Sequence, residues 1–201
     1  MIYLKTSVGV ELRGEDMLIA ALQSNFSGGV LTHFTRITGY RQRTADDLRR
    51  EIQTFFRSSG LSKENIVLGI PRKDIVLRYL DLPPEVADNL KQVVQYQVQS
   101  FEPTDEDKFY HDYTLIRGNG AGKKLSVMLA MVRKKTLDDI LQTLLAAGIR
   151  PVTVTGSSLG LANLFLRNGK DLQDKTYILG DLGISGLETL ALRQGSVVYS
   201  R

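Results

Sequence analysis

The sequence has 201 residues, 42% hydrophobic, 24% charged and 7% aromatic, the balance of a globular protein large enough to bury a core without cross-links. It contains no cysteine, which excludes disulfides, thiolate metal sites and cysteine nucleophiles and fits a reducing compartment. No apolar run reaches the roughly 18 residues of a transmembrane helix, and the opening MIYLKTSVGVELRGEDM lacks the pattern of a signal peptide. Membrane association is therefore expected only through partners or through sequence beyond Arg201.

The formal net charge is +4, and Arg36, Arg41, Arg43, Arg49, Arg50 and Arg57 crowd one stretch. Attraction to anionic lipid or nucleic acid is one reading. The interleaved Asp46, Asp47 and Glu51 favour another, a solvated helix face. No RNA-binding aromatic motif or helix-turn-helix pattern supports a nucleic-acid partner.

In chain order, residues 7–12, 17–23 and 30–38 read as strands separated by turns at 13–16 and 25–29, which predicts an antiparallel meander. Thr44, with Asp47 three residues on, reads as the capped start of a helix. Its stripe is Leu48, Ile52, Phe55 and Phe56, and Gly60 stops it. Residues 66–70 form a short apolar strand ending at Pro71.

A strand over 74–82 follows, then a helix beginning at Pro83-Pro84, where missing amide donors cost little. Its core face is Val86, Leu90, Val93, Val94, Val98 and Phe101, and Pro103 ends it. Two strands, 108–116 and 124–132, complete a strand–helix–strand–strand module over 72–133. Thr136 reads as the cap of another helix, with stripe Leu137, Ile140, Leu141, Leu144 and Leu145 and a stop at Gly148. A strand over 151–155, a helix from Ser157 to near Gly169, and strands over 177–182, 188–192 and 197–200 close the chain. The last three begin a second meander.

The run from Gly118 to Lys124 superficially suggests a phosphate loop. It lacks the glycine spacing, the hydroxyl residue after the lysine and the following helix, so a hairpin turn fits better. His33 and His111 have no ligand-spaced partners, and no metal site is expected. Ser157-Ser158 lacks a nucleophile elbow and reads as helix capping. Asp105, Glu106 and Asp107 read as solvated loop residues. The most informative run is Asp181-Leu-Gly-Ile-Ser-Gly-Leu-Glu188, which puts Asp-x-Gly in a tight hairpin. Backbone amides there can approach an anion while the aspartate reaches a hydrated metal ion.

The order of elements resembles an actin-like chain, an α/β (RNase H-like) fold with one main sheet of mixed strands flanked by helices and an inserted small βαββ subdomain. That layout makes 1–71 the first part of the core, 72–133 the insert, 134–172 the return to the core and 173–201 the start of a second subdomain. The ending GSVVYSR, where such a sheet would continue, leads to the expectation of a truncated chain.

The wording is more specific. The stretch from Ile70 to Ile116 resembles the pilus assembly and type II secretion family of PilM and GspL. The shared features are Arg78 before Leu82-Pro83, the following helix, Phe101-Glu102-Pro103 and the strand holding Asp112-Tyr113. LLAAGIRPVTVTGSSLGLANLF (Leu144 to Phe165) and LGDLGISGLETLALRQGSVVYSR continue the resemblance, which covers residues 64–201 well and the first 40 by layout.

The resemblance implies nucleotide-contacting positions at Glu11, Arg13 and Gly14 in a first phosphate turn and at Asp181, Gly183 and Ser185 in a second. The first turn departs from the family pattern, with Glu11 for the aspartate and the bulky Arg13 for the glycine. Gly186 and Leu187 stand where hydroxyl residues often contribute, and Tyr96-Gln97 replaces an aromatic–Glu pair. A degenerate nucleotide site, no cofactor and no enzymatic activity are therefore expected, with ATP–Mg²⁺ as the alternative ligand.

The implied role is a cytoplasmic scaffold on the bacterial inner membrane. It would link an assembly ATPase, through that protein's N-terminal domain, to a platform membrane protein, through an N-terminal peptide. A homodimer is a further expectation. The peptide groove is expected between core sheet and insert, lined by Tyr96, Gln99, Phe101, Asp112 and Tyr113. Two other readings are an ATP-binding actin-like ATPase and a sugar-kinase-like enzyme. The latter needs a catalytic aspartate and a complete first phosphate turn, and neither is found.

Overall fold

The computed structural model describes residues 5–25, 28–102, 104, 108–116, 124–169, 175–183 and 186–201. In chain order the elements are β1 (Lys5–Arg13), β2 (Asp16–Asn25), β3 (Gly28–Ile37), α1 (Ala45–Ser59), β4 (Ile66–Ile70) and β5 (Ile75–Leu82). There follow α2 (Leu90–Gln99), β6 (Phe109–Leu115), β7 (Leu125–Arg133), α3 (Lys134–Ala146) and β8 (Thr153–Gly156). Last come α4 (Ser157–Asn168), β9 (Thr176–Gly183), β10 (Gly186–Arg193) and β11 (Ser196–Ser200). They form two compact units, Met1–Pro71 with Asp138–Ser157, and Arg72–Leu137 with Ser158–Arg201.

The first unit holds a five-stranded mixed sheet in the order β3-β2-β1-β4-β8. The meander β1–β3 is antiparallel, while β4 joins β1 and β8 joins β4 in parallel. Strand alternation explains the core: Val8, Val10 and Leu12 of β1 lie opposite Ala21, Ile19 and Met17 of β2, and all six are buried. Ile66, Leu68 and Ile70 of β4 are buried too, as are Leu48, Ile52 and Phe56 at helical spacing on α1. Fully burying such a side chain stabilises by roughly 1.5–3 kcal/mol, so these residues dominate the unit's stability.

The arginine-rich stretch is largely consumed within this unit. Arg49 donates from Nε and Nη2 to the Ala146 carbonyl at 2.9 and 2.6 Å, capping the C-terminal end of α3. Lys63 donates to the Gly148 carbonyl at 3.2 Å and lies over the Phe56 ring, and burial lowers its pKa. Arg43 pairs with Glu51, Arg50 with Asp47 and Arg36 with Asp16. The helix face is self-neutralised, as the interleaved acids indicate.

The second unit contains two three-stranded antiparallel sheets, β5-β7-β6 and β11-β10-β9. In the first, Leu90, Val94 and Val98 of α2 are buried with Val127, Leu129 and Met131 of β7, and Val76, Leu80, Leu82, Phe101, Phe109 and Tyr113 pack against them. In the second, Ala162 of α4 is buried with Leu190 and Leu192, flanked by Phe165, Leu166, Tyr177, Leu179 and Val197. The β10–β11 loop places Gln194 and Gly195 both at positive φ (50° and 73°), the backbone of a two-residue hairpin turn matched to strand twist.

Three sequence expectations shift. Pro84–Asn89 is a 3₁₀ segment, closed by Val86 N–H donating to the Pro83 carbonyl at 3.2 Å, so the α-helix begins only at Leu90. Thr136 caps nothing, because β7 runs directly into α3 at Lys134, whose amide donates to the Lys108 carbonyl at 2.8 Å. Leu145 leaves the buried stripe at 46% exposure, since the helix turns Leu144 inward instead. The strand expected over 151–155 forms as Thr153–Gly156. Gly118 to Lys123, Pro103 and residues 105–107 lie outside the described residues.

Thr44 does cap α1: its Oγ accepts from the Asp47 amide at 3.1 Å and donates to the Asp47 carboxylate at 2.7 Å, and Gly60 ends the helix at φ 65°. The Thr44 hydroxyl and Arg50 together hold the Asp47 carboxyl below its ordinary pKa. A depressed carboxylate pKa gives stability that is present above the unfolded value and lost as pH falls through the folded one. Thr44→Ala should therefore cost about 1 kcal/mol at neutral pH. Urea melts from pH 7 to 3 should show that difference shrinking as Asp47 protonates.

Candidate functional site

The sequence singles out two hairpins and one groove. The first hairpin joins β1 to β2 through Gly14-Glu15, with Arg13 opposite Asp16 and Gly14 at φ 63°. Positive φ at the tight turn is the conformation glycine tolerates best. Glu11 and Arg13 stand two residues apart on one strand, so both project to the same face, and they form an ion pair at 3.9 Å. Their side chains remain 32% and 38% exposed, so the pair contributes little stability. At the same hairpin end the Asp16 carboxylate accepts from Arg36 Nε at 2.9 Å. Glu11, Glu15 and Asp16 thus outnumber Arg13 and Arg36, an electrostatic setting poor for phosphate.

The second hairpin joins β9 to β10, with Gly183 opposite Gly186 and Asp181 opposite Glu188. Counting from the loop, Asp181 occupies the place of Glu11 and Gly183 that of Arg13. The two meanders therefore repeat one design, with a glycine in the second where the first carries an arginine. Ser185 lies outside the described residues. Directly opposed carboxylates repel across a sheet. Here the Glu188 Oε1 accepts from the Arg72 backbone amide at 3.3 Å.

Arg72 was not singled out by sequence reasoning. Its Nη1 donates to the Ile75 carbonyl at 2.6 Å and its Nη2 approaches the Ser200 carbonyl at 3.5 Å, so one residue ties the start of β5 to β10 and β11. No local pattern could have revealed it, because Glu188 lies 116 positions away. Beside it, burial raises the pKa of Tyr79, partly offset by the Ser200 hydroxyl and the Arg72 charge.

The five groove residues do not share a surface. Tyr96 (62% exposed) and Gln99 lie on the solvent side of α2, away from its buried Val94 and Val98. Phe101 and Tyr113 pack into the core between α2 and the sheet. Asp112, one residue from Tyr113 on β6, must project from the opposite sheet face, and it is exposed. Helix and strand periods thus divide a set that looks contiguous in sequence. Instead, Phe101 lies beneath the Arg78 guanidinium at 5.3 Å, and Glu102 Oε1 accepts from the Phe109 amide at 2.8 Å. Phe101 and Glu102 therefore anchor the end of α2 to the neighbouring strands β5 and β6. Among the described residues no cluster of three or more His, Cys, Asp or Glu could hold a metal ion.

A family model described as type IV pilus assembly protein PilM matches residues 33–201. The chain belongs to the PilM family. No curated protein sequence matches it. Among solved structures it is similar to the PilM-PilN type IV pilus biogenesis complex, at 16% identity and TM-score 0.74, covering 97% of this chain and 60% of that one. It is also similar to the cytoplasmic domain of EpsL, an inner membrane component of the type II secretion system of Vibrio cholerae, at 13% identity and TM-score 0.60, covering 98% and 71%. A Bacteroides thetaiotaomicron protein with an actin-like ATPase fold matches at 10% identity and TM-score 0.51, covering 98% and 68%. At these identities the structures establish the actin-like fold, and this PilM-family chain spans 60% of the length of the first.

The anchoring role of Glu102 makes a direct test. Glu102→Ala should lower stability by about 1–2 kcal/mol in urea, with faster hydrogen exchange at the Phe109 amide, while Glu102→Gln, which keeps an acceptor, should lose less.

Proposed function

We propose that this PilM-family chain is a non-catalytic scaffold of a type IV pilus or type II secretion platform, at the cytoplasmic face of a bacterial inner membrane. In this reading it links the assembly ATPase to a platform membrane protein and reaches the membrane through that partner. Family membership over residues 33–201 supports the machine. The observation that carries the non-catalytic part is the Glu11–Arg13 ion pair in the first hairpin. A nucleotide phosphate needs close backbone approach and net positive potential there. It would meet a guanidinium already held by one carboxylate and two further acids in the same turn.

Similarity to a PilM-PilN type IV pilus biogenesis complex supports a partner protein for this chain as well, and in this reading the partner is engaged through a peptide. Of the residues named from sequence, Tyr96 and Gln99 are the exposed ones on α2 and suit a contact with a partner. An ATP-binding actin-like ATPase is the second reading, favoured by Asp181 and Gly183 in the second hairpin, where the glycine leaves the backbone approachable.

Calorimetric titration separates the two readings. The scaffold reading expects no heat with ATP–Mg²⁺, together with saturable binding of the ATPase N-terminal domain or of the platform protein's N-terminal peptide, weakened by Tyr96→Ala. Saturable ATP–Mg²⁺ binding that Asp181→Asn abolishes, without binding of either partner, would sink it.

A further inference from the structure

We propose that β3 is an interface through which two copies of this chain pair antiparallel about a two-fold axis. On the side away from β2, no described strand pairs with β3. Its ten residues, GGVLTHFTRI, contain neither proline nor lysine, and its one charge, Arg36, is paired with Asp16 of the neighbouring strand.

The hydrogen-bonding directions follow from one contact. Val8 N–H donates to the Asn65 carbonyl at 2.9 Å, so even-numbered residues of β1 turn their main-chain groups toward β4 and odd-numbered ones toward β2. Ser7, Gly9 and Glu11 therefore bond Leu22, Ala20 and Leu18, which leaves Met17, Ile19 and Ala21 to bond Ile37, Thr35 and His33 of β3. The bulge between Ala21 and Leu22 gives β3 one extra residue, Thr32, whose hydroxyl donates to the Ala21 carbonyl at 3.3 Å. Beyond it, Val30 faces Gln23. Gly29, Leu31, Phe34 and Arg36 consequently point their main-chain groups outward.

Those four positions are self-complementary. In an antiparallel pair of β3 strands, Leu31 meets Phe34 of the other copy, Gly29 meets Arg36, and the reciprocal pairs repeat across the axis, as an isologous interface requires. The bulge makes this possible, because it sets Leu31 and Phe34 three residues apart yet on one face and one edge. No like charges oppose one another, and the two central pairs join large apolar side chains, 60% and 58% exposed in the single copy. With Leu22, on the same face, they present on the order of 300 Å² of apolar surface per copy, the scale of the largest patch on an ordinary monomer. Two copies remove less than the roughly 1,200 Å² of a standard interface, so the dimer is weak and concentration-dependent.

Sedimentation equilibrium on the full chain across a concentration series tests this, together with pairing of cysteine variants, since the protein has no cysteine of its own. A hydrogen-bonded antiparallel pair sets Cα atoms about 5.5 Å apart, within disulfide reach. Mixing Leu31→Cys with Phe34→Cys under mild oxidation should give mainly the mixed disulfide. Leu31→Lys should weaken the dimer at least about tenfold, with unchanged circular dichroism. The proposal is overturned by a monomer at the highest soluble concentration, by a dimer insensitive to Leu31→Lys, or by disulfides formed without preference for the mixed pair.

Discussion

Strand β1 sits between two different neighbours, antiparallel to β2 and parallel to β4, and that position dictates most of what the first unit can do. A strand has only two faces and two edges. With Val8 bonded toward β4, the even-numbered residues of β1 face the core and bond β4, while the odd-numbered ones face away and bond β2. Glu11 and Arg13 are odd-numbered, so they lie outside the packed core at the end of the hairpin, where they pair with each other. The same alternation, carried through β2 and displaced by one bulge, decides which side of β3 is left open.

The fold was legible where local chemistry is decisive. Thr44, Asp47 and Gly60 bound α1 in the structure as their residue types demand, and the apolar alternation of residues 66–70 gives the strand they form. Boundaries failed where a tertiary contact overrode a local signal. Thr136 has a hydroxyl suited to capping, yet the Lys134 amide already has the Lys108 carbonyl, so the helix starts earlier. Pro83-Pro84 reads as the start of the α-helix, but the chain there closes with three-residue spacing, and α2 begins only at Leu90.

The candidate site was legible only in part, for a different reason. The hairpin positions are set by short-range spacing, so the equivalence of Glu11 with Asp181 and of Arg13 with Gly183 could be read before any coordinates. A groove is a long-range object. Asp112 and Tyr113 are adjacent in sequence and on opposite faces in space, and Phe101 spends its aromatic surface on the module's own core. Arg78, Phe101 and Glu102, on which the family resemblance rests, thus make contacts within their own strand–helix–strand–strand module.

The β1–β2 hairpin combines a two-residue loop and a positive-φ glycine with an ion pair between Glu11 and Arg13. Arg13 carries a side chain where the second hairpin has Gly183, and Glu11 lies 3.9 Å from it. The second hairpin keeps the open glycine, but its Asp181 faces Glu188, which accepts from the Arg72 amide at the base of the insert. The carboxylate opposite Asp181 thus holds β10 to the residues that lead into β5. In the proposed scaffold reading such contacts are an advantage, because that role rests on keeping surfaces in fixed register, whereas a nucleotide switch needs the same groups free to exchange partners.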